Sequence, residues 1–383
     1  MIVITTSLDT MLNRAKFLRN IQNAIGNLDE ILTEFDQVAL LTQDTKDFTH
    51  CFDGITHVPC VSSRSKRVTW ILSKITYARW IYFLSSSFLW MLKHRTKIRL
   101  LISINVDSSA PLFSMLFRVP CIVYYKYNTA FQVRYINKRF VIGLFLPIIE
   151  RFAFRNAAVV WVTSFNLIAK VRLLGAKRVK LIPNWVDIKE IEAIQALRKR
   201  SAGFCVLFVG RLHRVKQVDL LIRAFRLIHE KDSKTNLYIL GDGEERGTLV
   251  KLTSDLGLSD SVHFRGYVDQ TTVLKMMKLS DVLVLPSRVE GNPRVLIEAM
   301  VNRLPVVATN VPGIGDMIRH MKTGYLIDSQ EPENLAYAIE YVMRNKRESA
   351  SMAERACAFA DKNFSKENVS QKIRDELKSL LSK

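Results

Sequence analysis

Residues 281–303, which read DVLVLPSRVEGNPRVLIEAMVNR, constrain the fold more than any other stretch of this chain. The unbroken apolar run from Val282 to Leu285 is typical of a strand that is covered on both faces of a parallel sheet. Asn292 is a favourable N-cap, and Pro293 suits the first helical position because its missing N–H needs no partner there. The stretch therefore predicts a buried strand, a loop, and a helix that begins past the carboxyl end of the strand. In an open α/β sheet this edge binds ligands, and the positive end of the helix favours an anionic group.

The same alternation continues through the second half of the chain. Further strands are predicted at 205–209, 237–240, 262–264 and 305–309, each followed by Gly or Pro and, after the first three, by a helical segment. This alternation predicts a doubly wound parallel sheet. The first half has weaker signals, with strands predicted at 1–6, 38–42, 99–104, 121–125 and 157–163 and a helix at 12–32.

A chain of 383 residues suits two α/β domains, and the composition changes near residue 187. We predict an N-terminal domain over 1–187, a linker over 188–203 and a C-terminal domain over 204–360. A C-terminal helix over 361–383 is expected to pack back on the N-terminal domain.

Positive charge is concentrated in the first half of the chain. Residues 1–187 hold 25 Lys and Arg against 11 Asp and Glu, which supplies +14 of the net charge of +20. Between Gly54 and Val186 the acidic residues are Asp107 and Glu150. Such a surface attracts anions, including acidic lipid head groups, although a basic soluble protein is a simpler alternative. Nucleic-acid binding has no support beyond charge, because no recognition motif accompanies it.

The aromatic segment 70–92 is a candidate for membrane contact. Its longest uncharged run is 80–92, which is shorter than the ~20 apolar residues that a spanning helix needs. The segment is therefore predicted not to span a bilayer, and its basic flanks suit either an interfacial segment or a buried helix with a basic edge. The opening ten residues lack the basic and apolar pattern of a secretion signal.

Cysteine and histidine spacing favours a cytoplasmic protein without a metal site. The five cysteines form no CxxC pair, and the seven histidines have no metal-ligand spacing. An Asp-x-Asp pair is also absent, so the negative charge of any leaving group would have to be neutralised by cations of the protein. We therefore expect no cofactor and no metal.

Four charged residues are predicted to meet at the carboxyl edge of the C-terminal sheet. Arg211 and Lys216 follow the first strand of that domain, and Glu290 and Glu298 follow the fourth. Two cations beside a helix N-terminus suit a diphosphate, and the carboxylates suit ribose or sugar hydroxyls. A hydrolase pair of Glu290 and Glu298 is disfavoured, since such carboxylates lie ~5–9.5 Å apart and five helical residues already rise ~7.5 Å.

These residues carry a resemblance to the GT-B-fold retaining glycosyltransferases of family 4. Glu290 and Glu298 match the family's Glu-x7-Glu motif, and FVGRLHRVKQVDLLIRAF matches its Gly-Arg…Lys stretch through Arg211 and Lys216. The segments LGDGEERGTLVKL, VHFRGYV and PVVATNVPGIGDMI follow in the family's order. The resemblance is specific over about 157–330 and implies two Rossmann-like domains that face each other across a cleft, with C-terminal helices.

The resemblance implies transfer of a hexose-type sugar, with retained configuration and without a metal, from a nucleotide diphosphate-sugar such as a UDP-sugar. It implies that Arg211 and Lys216 hold the diphosphate, Glu290 the donor sugar, and Glu298 the ribose, with backbone amides of Gly291 and Asn292 near the donor. Arg211, Lys216 and Glu290 are thus the implied catalytic residues.

The sequence departs from the family pattern at several positions. Gln217 replaces a common glycine after the lysine, and Asn292-Pro293 replaces the commoner Phe-Gly, which removes a backbone N–H. Lys126 stands where many members have a histidine beside the transferred sugar, and is the acceptor-side candidate. The glycine-rich loop common near the N-terminus is missing at 5–13.

The sequence therefore predicts a cytoplasmic glycosyltransferase of polysaccharide biosynthesis, such as lipopolysaccharide or capsule. It is expected to attach peripherally to the inner face of the plasma membrane and to extend a lipid-linked or cell-surface glycan. A GT-B sugar-nucleotide epimerase and a non-enzymatic nucleotide-sugar-binding protein remain the alternatives.

Overall fold

The computed structural model describes residues 1–6, 38–42, 55–59, 76–104, 109–126, 140–194 and 203–382. The chain forms two compact units, Met1–Ile182 together with Ser370–Lys383, and Pro183–Val369. Each unit is built on one parallel sheet, and strands and helices are numbered in chain order over the described residues. Residues 183–194, which include the beginning of the predicted linker, belong to the second unit. The helix predicted over 12–32 lies outside the described residues.

The first unit contains a seven-stranded sheet of order β3-β2-β1-β4-β5-β6-β7. Its strands are β1 Ile2–Thr6, β2 Val38–Thr42, β3 Ile55–Pro59, β4 Leu100–Ile104, β5 Cys121–Tyr125, β6 Val159–Val162 and β7 Val179–Leu181. Its helices are α1 Thr76–Lys93, α2 Ser109–Phe117, α3 Phe140–Asn156 and α4 Phe165–Leu173. Strands β4, β5 and β6 are buried throughout, as expected for the centre of a parallel sheet covered on both faces. Among the described residues, no helix is both long and apolar enough to cross a membrane.

The second unit contains a six-stranded sheet of order β10-β9-β8-β11-β12-β13. Its strands are β8 Cys205–Val209, β9 Asn236–Leu240, β10 Val262–Gly266, β11 Val282–Leu285, β12 Val306–Thr309 and β13 Tyr325–Ile327. Its helices are α5 Ile188–Ala193, α6 Val218–His229, α7 Arg246–Asp255, α8 Gln270–Leu279, α9 Arg294–Val301, α10 Pro332–Arg344 and α11 Lys346–Phe364.

The core of the second unit follows from two sequence patterns. The apolar runs of β8, β11 and β12 are buried between helices, and β11 pairs in parallel with both neighbours. Helix α6 buries Val218, Leu221, Ile222 and Phe225, whose spacing places them on one side of a 3.6-residue helix. The sheet and helices thereby hold the loops at the carboxyl ends of β8 and β11 in fixed positions.

The C-terminal segment predicted as one helix over 361–383 contains a break at Ser365. Helix α11 ends at Phe364, and α12 spans Lys366–Leu381. Val186 donates its N–H to the Phe364 carbonyl at 3.0 Å and accepts the N–H of Lys366 at 2.9 Å. The helix is interrupted because Ser365 takes extended backbone geometry and forms a parallel bridge with Val186.

Candidate active site

The topology of the second unit creates a crevice where the order of its strands reverses. Strand β8 lies beside β11, and the chain proceeds outward from β8 through β9 to β10 and from β11 through β12 to β13. Connections that leave in opposite directions open a crevice at the carboxyl ends of the two central strands. Arg211 and Lys216 follow β8, and Glu290 follows β11. The predicted site residues therefore come from the two loops that border this crevice.

Lys216 and Glu290 form an ion pair across the crevice. Lys216 lies in a 3-10 turn over Arg214–Lys216, and its Nζ is 2.5 Å from Glu290 Oε1. The hydroxyl of Ser287 donates to the same carboxylate oxygen at 2.7 Å. Because the Lys216 ammonium has three N–H donors, Glu290 fixes its position and leaves two donors for a ligand. Their side chains are largely buried, so the pair is fixed by the protein rather than by solvent.

Gln217 adds a second connection between the same two loops. Its side chain is buried, and with the amide oriented to match the surrounding donors and acceptors, its nitrogen donates to the Pro286 carbonyl at 2.9 Å and its oxygen accepts from Arg288 Nε at 3.0 Å. The Arg288 N–H also donates to the Val215 carbonyl at 2.8 Å. Gln217 has φ +48°, in the left-handed region that glycine adopts without cost. The left-handed conformation explains why a glycine is common at this position in the resembled family. The glutamine side chain contributes hydrogen bonds to the loop after β11 instead.

Arg211 pairs with Glu244, a residue that the sequence analysis did not select. Arg211 Nη2 is 3.3 Å from Glu244 Oε2, and His213 Nε2 is 3.1 Å from Glu244 Oε1. The pKa of Glu244 is lowered, first by a hydrogen bond from its own backbone N–H and then by the charges of His213 and Arg211. Glu244 could have been selected from the sequence, because it lies in the Gly-Asp-Gly-Glu loop that follows β9. Strand β9 pairs in parallel with β8, so the loops after the two strands lie side by side. Arg211 is largely exposed, so its guanidinium remains accessible to a ligand.

Glu298 is buried on α9 and has partners of its own. Its Oε1 is 3.1 Å from Arg294 Nε, and it also forms a hydrogen bond with the side chain of Gln270. Burial raises the pKa of Glu298, while Arg294 and the hydrogen bonds oppose that shift. The structure thus brings Glu290 to Lys216 and gives Glu298 a separate set of contacts.

The loop that contains Gly291 and Asn292 differs from the prediction. Helix α9 begins at Arg294 with Pro293 as its N-cap, so the predictions of Asn292 as N-cap and Pro293 as first helical residue are wrong. The Asn292 side chain accepts the backbone N–H of Asn184 at 2.8 Å, and its backbone carbonyl accepts the Asn184 side-chain amide. Asn292 therefore fixes the loop to 183–187 instead of satisfying the helix.

Close backbone packing holds the same loop against the loop after β12. A Cβ built on Gly313 would lie 2.4 Å from the Gly291 carbonyl oxygen and 2.6 Å from that of Glu290. Gly313 also has φ +91°, a conformation that disfavours a side chain. The position of Glu290 therefore depends on a residue without a side chain at 313.

Lys126, the acceptor-side candidate, follows β5 in the first unit. Its carbonyl accepts the hydroxyl of Thr163 at 2.7 Å, and its Nζ lies 5.4 Å from the centre of the Tyr124 ring. The contact with the ring is a cation–π geometry, so the cation is positioned at the carboxyl end of a central strand.

No group of three or more His, Cys, Asp or Glu side chains within the described ranges has the arrangement of a metal site. The crevice instead offers cationic groups, each oriented by a carboxylate of the protein. Such an arrangement can bind a diphosphate through charge-assisted hydrogen bonds and can stabilise negative charge on a leaving group.

Comparison with known proteins agrees with this architecture. Residues 189–358 match the family described as Glycosyl transferases group 1. The chain is 36% identical over 138 residues to an uncharacterized glycosyltransferase of Methanocaldococcus jannaschii, covering 36% of this chain and 35% of that protein. It is 29% identical over 219 residues to the lipopolysaccharide core biosynthesis glycosyltransferase LpsE of Rhizobium meliloti, covering 56% and 63%. The alignments thus span about one third to two thirds of these relatives.

The structure resembles HepE of Anabaena, solved in complex with UDP-glucose. The TM-score is 0.74 at 18% identity, and the superposition covers 99% of both chains. The fold is therefore GT-B, with two parallel-sheet α/β domains, as the sequence predicted. Residues 189–358 are therefore similar to the group 1 glycosyltransferases, and this range contains the Arg211, Lys216, Glu290 and Glu298 pattern that resembles family 4 of the retaining glycosyltransferases.

Proposed function

We propose that this protein is a retaining, metal-independent glycosyltransferase that moves a hexose-type sugar from a UDP-sugar to a lipid-linked or cell-surface glycan. The observation that carries the proposal is the Lys216–Glu290 ion pair, which bridges the loops after β8 and β11 at the point where the strand order reverses. A diphosphate bound there meets two donors of Lys216 that Glu290 leaves unused. The family match and the UDP-glucose complex of HepE support a nucleotide-sugar as the ligand.

The site residues take the following roles in this proposal. Lys216 and Arg211 neutralise the diphosphate as it leaves, which is the contribution that a metal ion makes in other transferases. Glu290 receives a hydroxyl of the donor sugar, and Glu298 receives the ribose hydroxyls. Backbone amides of Gly291 and Asn292 approach the donor. A phosphate oxygen of the donor takes the acceptor proton, so no protein base is required.

The acceptor side and the location extend the same proposal. Lys126 acts electrostatically beside the transferred sugar, as the position of a histidine in many family members suggests. The basic N-terminal half attaches the enzyme peripherally to the anionic inner face of the plasma membrane, where a lipid-linked acceptor of polysaccharide synthesis is available. The similarity to LpsE supports an acceptor of the lipopolysaccharide or capsule type.

The test compares donor binding and sugar transfer in matched lysine variants. A panel of nucleotide-sugars is screened for thermal stabilisation, because a ligand stabilises the folded state by its affinity. Transfer is then measured as release of free nucleotide in the presence of an acceptor glycan. Lys216→Ala and Glu298→Ala should abolish transfer while circular dichroism shows a folded chain. Lys251→Ala removes an exposed cation of α7 and should leave transfer unchanged.

Two results would contradict the proposal. Transfer at the wild-type rate by Lys216→Ala would show that the ion pair has no part in the reaction. Conversion of the nucleotide-sugar without release of nucleotide, independent of acceptor, would indicate an epimerase.

A further inference from the structure

Helices α1 and α2 of the first unit pack against each other and expose large apolar side chains. The ring of Phe88 on α1 lies 5.8 Å from that of Phe113 and 6.0 Å from that of Phe117, both on α2. The helices therefore pack side by side, with Met91 and Phe113 buried beneath them. Their outward sides are neighbours on the protein surface.

Large aliphatic side chains occupy these outward sides. On α1, Leu89 is 64% exposed and Leu92 is 40% exposed. On α2, Leu112 is 40%, Met115 54% and Leu116 58% exposed. Spacings of three and four residues place each set on one side of its helix. We name these five residues the α1–α2 face. Soluble proteins rarely expose adjacent apolar side chains in this number without a binding partner.

Exposed cations border the α1–α2 face at one end. Lys93 is the last residue of α1, Arg95 and Lys97 follow it, and Arg118 follows α2. The two helices lead into β4 and β5, which are parallel neighbours, so both helices end at the same edge of the sheet. The four cations therefore lie around the same end of the apolar surface.

Exposed acidic side chains are absent from the described residues between 76 and 182. Between residues 76 and 182, the acidic residue in the described ranges is Glu150, which is fully buried. Its carboxylate lies 2.8 Å from Lys170 Nζ and accepts the hydroxyl of Tyr125 at 2.6 Å. The charge of Glu150 is thereby neutralised inside the unit, so the exposed charges of the described residues between 76 and 182 are all positive.

We propose that the α1–α2 face docks on an anionic phospholipid bilayer, with its aliphatic side chains at the acyl boundary and Lys93, Arg95, Lys97 and Arg118 on lipid phosphates. The inference rests on the proposed function, since it names the surface at which the enzyme meets a lipid-linked acceptor. Aliphatic side chains next to cations are the composition of an interfacial membrane helix. Lysine, which supplies two of these four cations, is depleted in protein interfaces, and binding of a polyanion such as nucleic acid requires the cations but not the aliphatic side chains.

The experiment uses the full chain and vesicles of two compositions, phosphatidylcholine alone and phosphatidylcholine with phosphatidylglycerol. Flotation should recover the wild-type protein with the anionic vesicles and not with the neutral ones. The pair Arg95→Glu and Lys97→Glu should weaken binding by at least about 25-fold, because each lost cation changes partitioning about fivefold. The pair Leu112→Gln and Leu116→Gln should remove the binding that persists when salt is raised.

A matched control comes from α7 of the second unit. Val250 and Lys251 are both exposed, so the pair Val250→Gln and Lys251→Glu makes the same types of change elsewhere. This control should bind vesicles like the wild type. Vesicle binding that survives in both α1–α2 variants would overturn the proposal. The proposal would also be overturned if the protein bound anionic vesicles and duplex DNA equally well and the leucine substitutions changed neither affinity. A protein that is dimeric in solution and becomes monomeric on the leucine substitutions would overturn it as well.

Stabilisation by UDP-glucose is measured in the same variants to separate the two proposals. The α1–α2 variants should retain it, since their substitutions lie in the first unit and the donor residues in the second. Vesicle binding without any stabilisation by a nucleotide-sugar would refute the proposed donor and leave the docking surface supported. Stabilisation without vesicle binding would refute the docking surface alone.

Discussion

Gln217 combines an unfavourable backbone conformation with favourable side-chain contacts, and substitutions can separate the two. Its φ of +48° costs about 1–2 kcal/mol for a residue with a side chain, a cost that glycine does not bear. Its amide makes two hydrogen bonds, to the Pro286 carbonyl and from Arg288, each worth about 1 kcal/mol. Gln217→Ala should therefore lose about 2 kcal/mol of unfolding free energy, whereas Gln217→Gly should lose roughly half of that because the backbone is relieved.

Arg303 provides the matched control for this comparison. It follows α9 with φ +52°, and its side chain is exposed and pairs with Glu354 at the surface. A left-handed residue after a helix is commonly glycine, and surface ion pairs contribute little. Arg303→Gly should consequently be more stable than the wild type by about 1 kcal/mol, whereas Arg303→Ala should bring no gain. At position 217 the wild type should be the most stable, followed by the glycine variant and then the alanine variant. At position 303 the glycine variant should be the most stable.

Differential scanning calorimetry of the full chain measures both series. For a unit of this size, 1 kcal/mol corresponds to about 2–4 °C in Tm. The transition that responds to the Arg303 variants identifies the second unit, and the Gln217 variants should shift the same transition. If Gln217→Ala were at least as stable as Gln217→Gly, the left-handed conformation would be refuted. If Gln217→Gly were more stable than the wild type, the two hydrogen bonds would contribute less than the left-handed backbone conformation costs, which would refute their assigned magnitude.

Two further substitutions test the carboxylates of the site. Burial raises the pKa of Glu298 in the folded state above its usual 4.5, the value expected in the unfolded state. Between these two pKa values the folded state binds more protons than the unfolded state. The free energy of unfolding therefore falls as pH rises from the unfolded-state pKa through the folded-state pKa. Glu298→Gln should therefore be more stable than the wild type at neutral pH and equal below about pH 4.5 in urea titrations, and a pH-independent difference would refute the raised pKa. Gly313→Ala should lose about 2 kcal/mol or more and bind UDP-glucose weakly, because its Cβ would meet two backbone oxygens of the Glu290 loop. Gly247→Ala, with no atom within 4 Å of the new Cβ, is the control and should keep wild-type binding and at least wild-type stability, because alanine suits a helix better than glycine.

Much of the sheet in the second unit was predictable from short apolar runs. Strands β8 and β11 were placed within one residue, because continuous burial on both faces requires an unbroken apolar sequence bounded by Gly or Pro. The strands β3, β7 and β13 were not predicted, and all three lie at sheet edges. An edge strand is less completely covered, so its sequence is less distinctive.

Helix α2 was missed for a different physical reason. An amphipathic pattern is recognised by polar residues on the solvent side, but α2 exposes Leu112, Met115 and Leu116 there. The same departure from the pattern led to the proposed docking surface.

The candidate site was predictable as far as topology determines it. Adjacent parallel strands bring the ends of β8 and β11 together, so Lys216 and Glu290 were expected near each other. Contacts that depend on loop conformation were not predictable. Glu244 meets Arg211 through the loop after β9, and Asn292 contacts Asn184 instead of capping α9 because that backbone amide competes for its side chain.

The last helix affects the order in which the units can be completed during synthesis. Residues 370–383 belong to the first unit, where Glu376 pairs with Arg178 at 2.7 Å and with Lys180 at 2.7 Å, and Ile373 and Leu377 are buried. At translation rates of 5–20 residues per second, residues 183–383 take roughly 10–40 s to make. The second unit, from 183 to 369, is contiguous and can fold as soon as it emerges. The unit that is begun first is therefore the one completed last, and Arg178 and Lys180 await their partner on α12 for that interval.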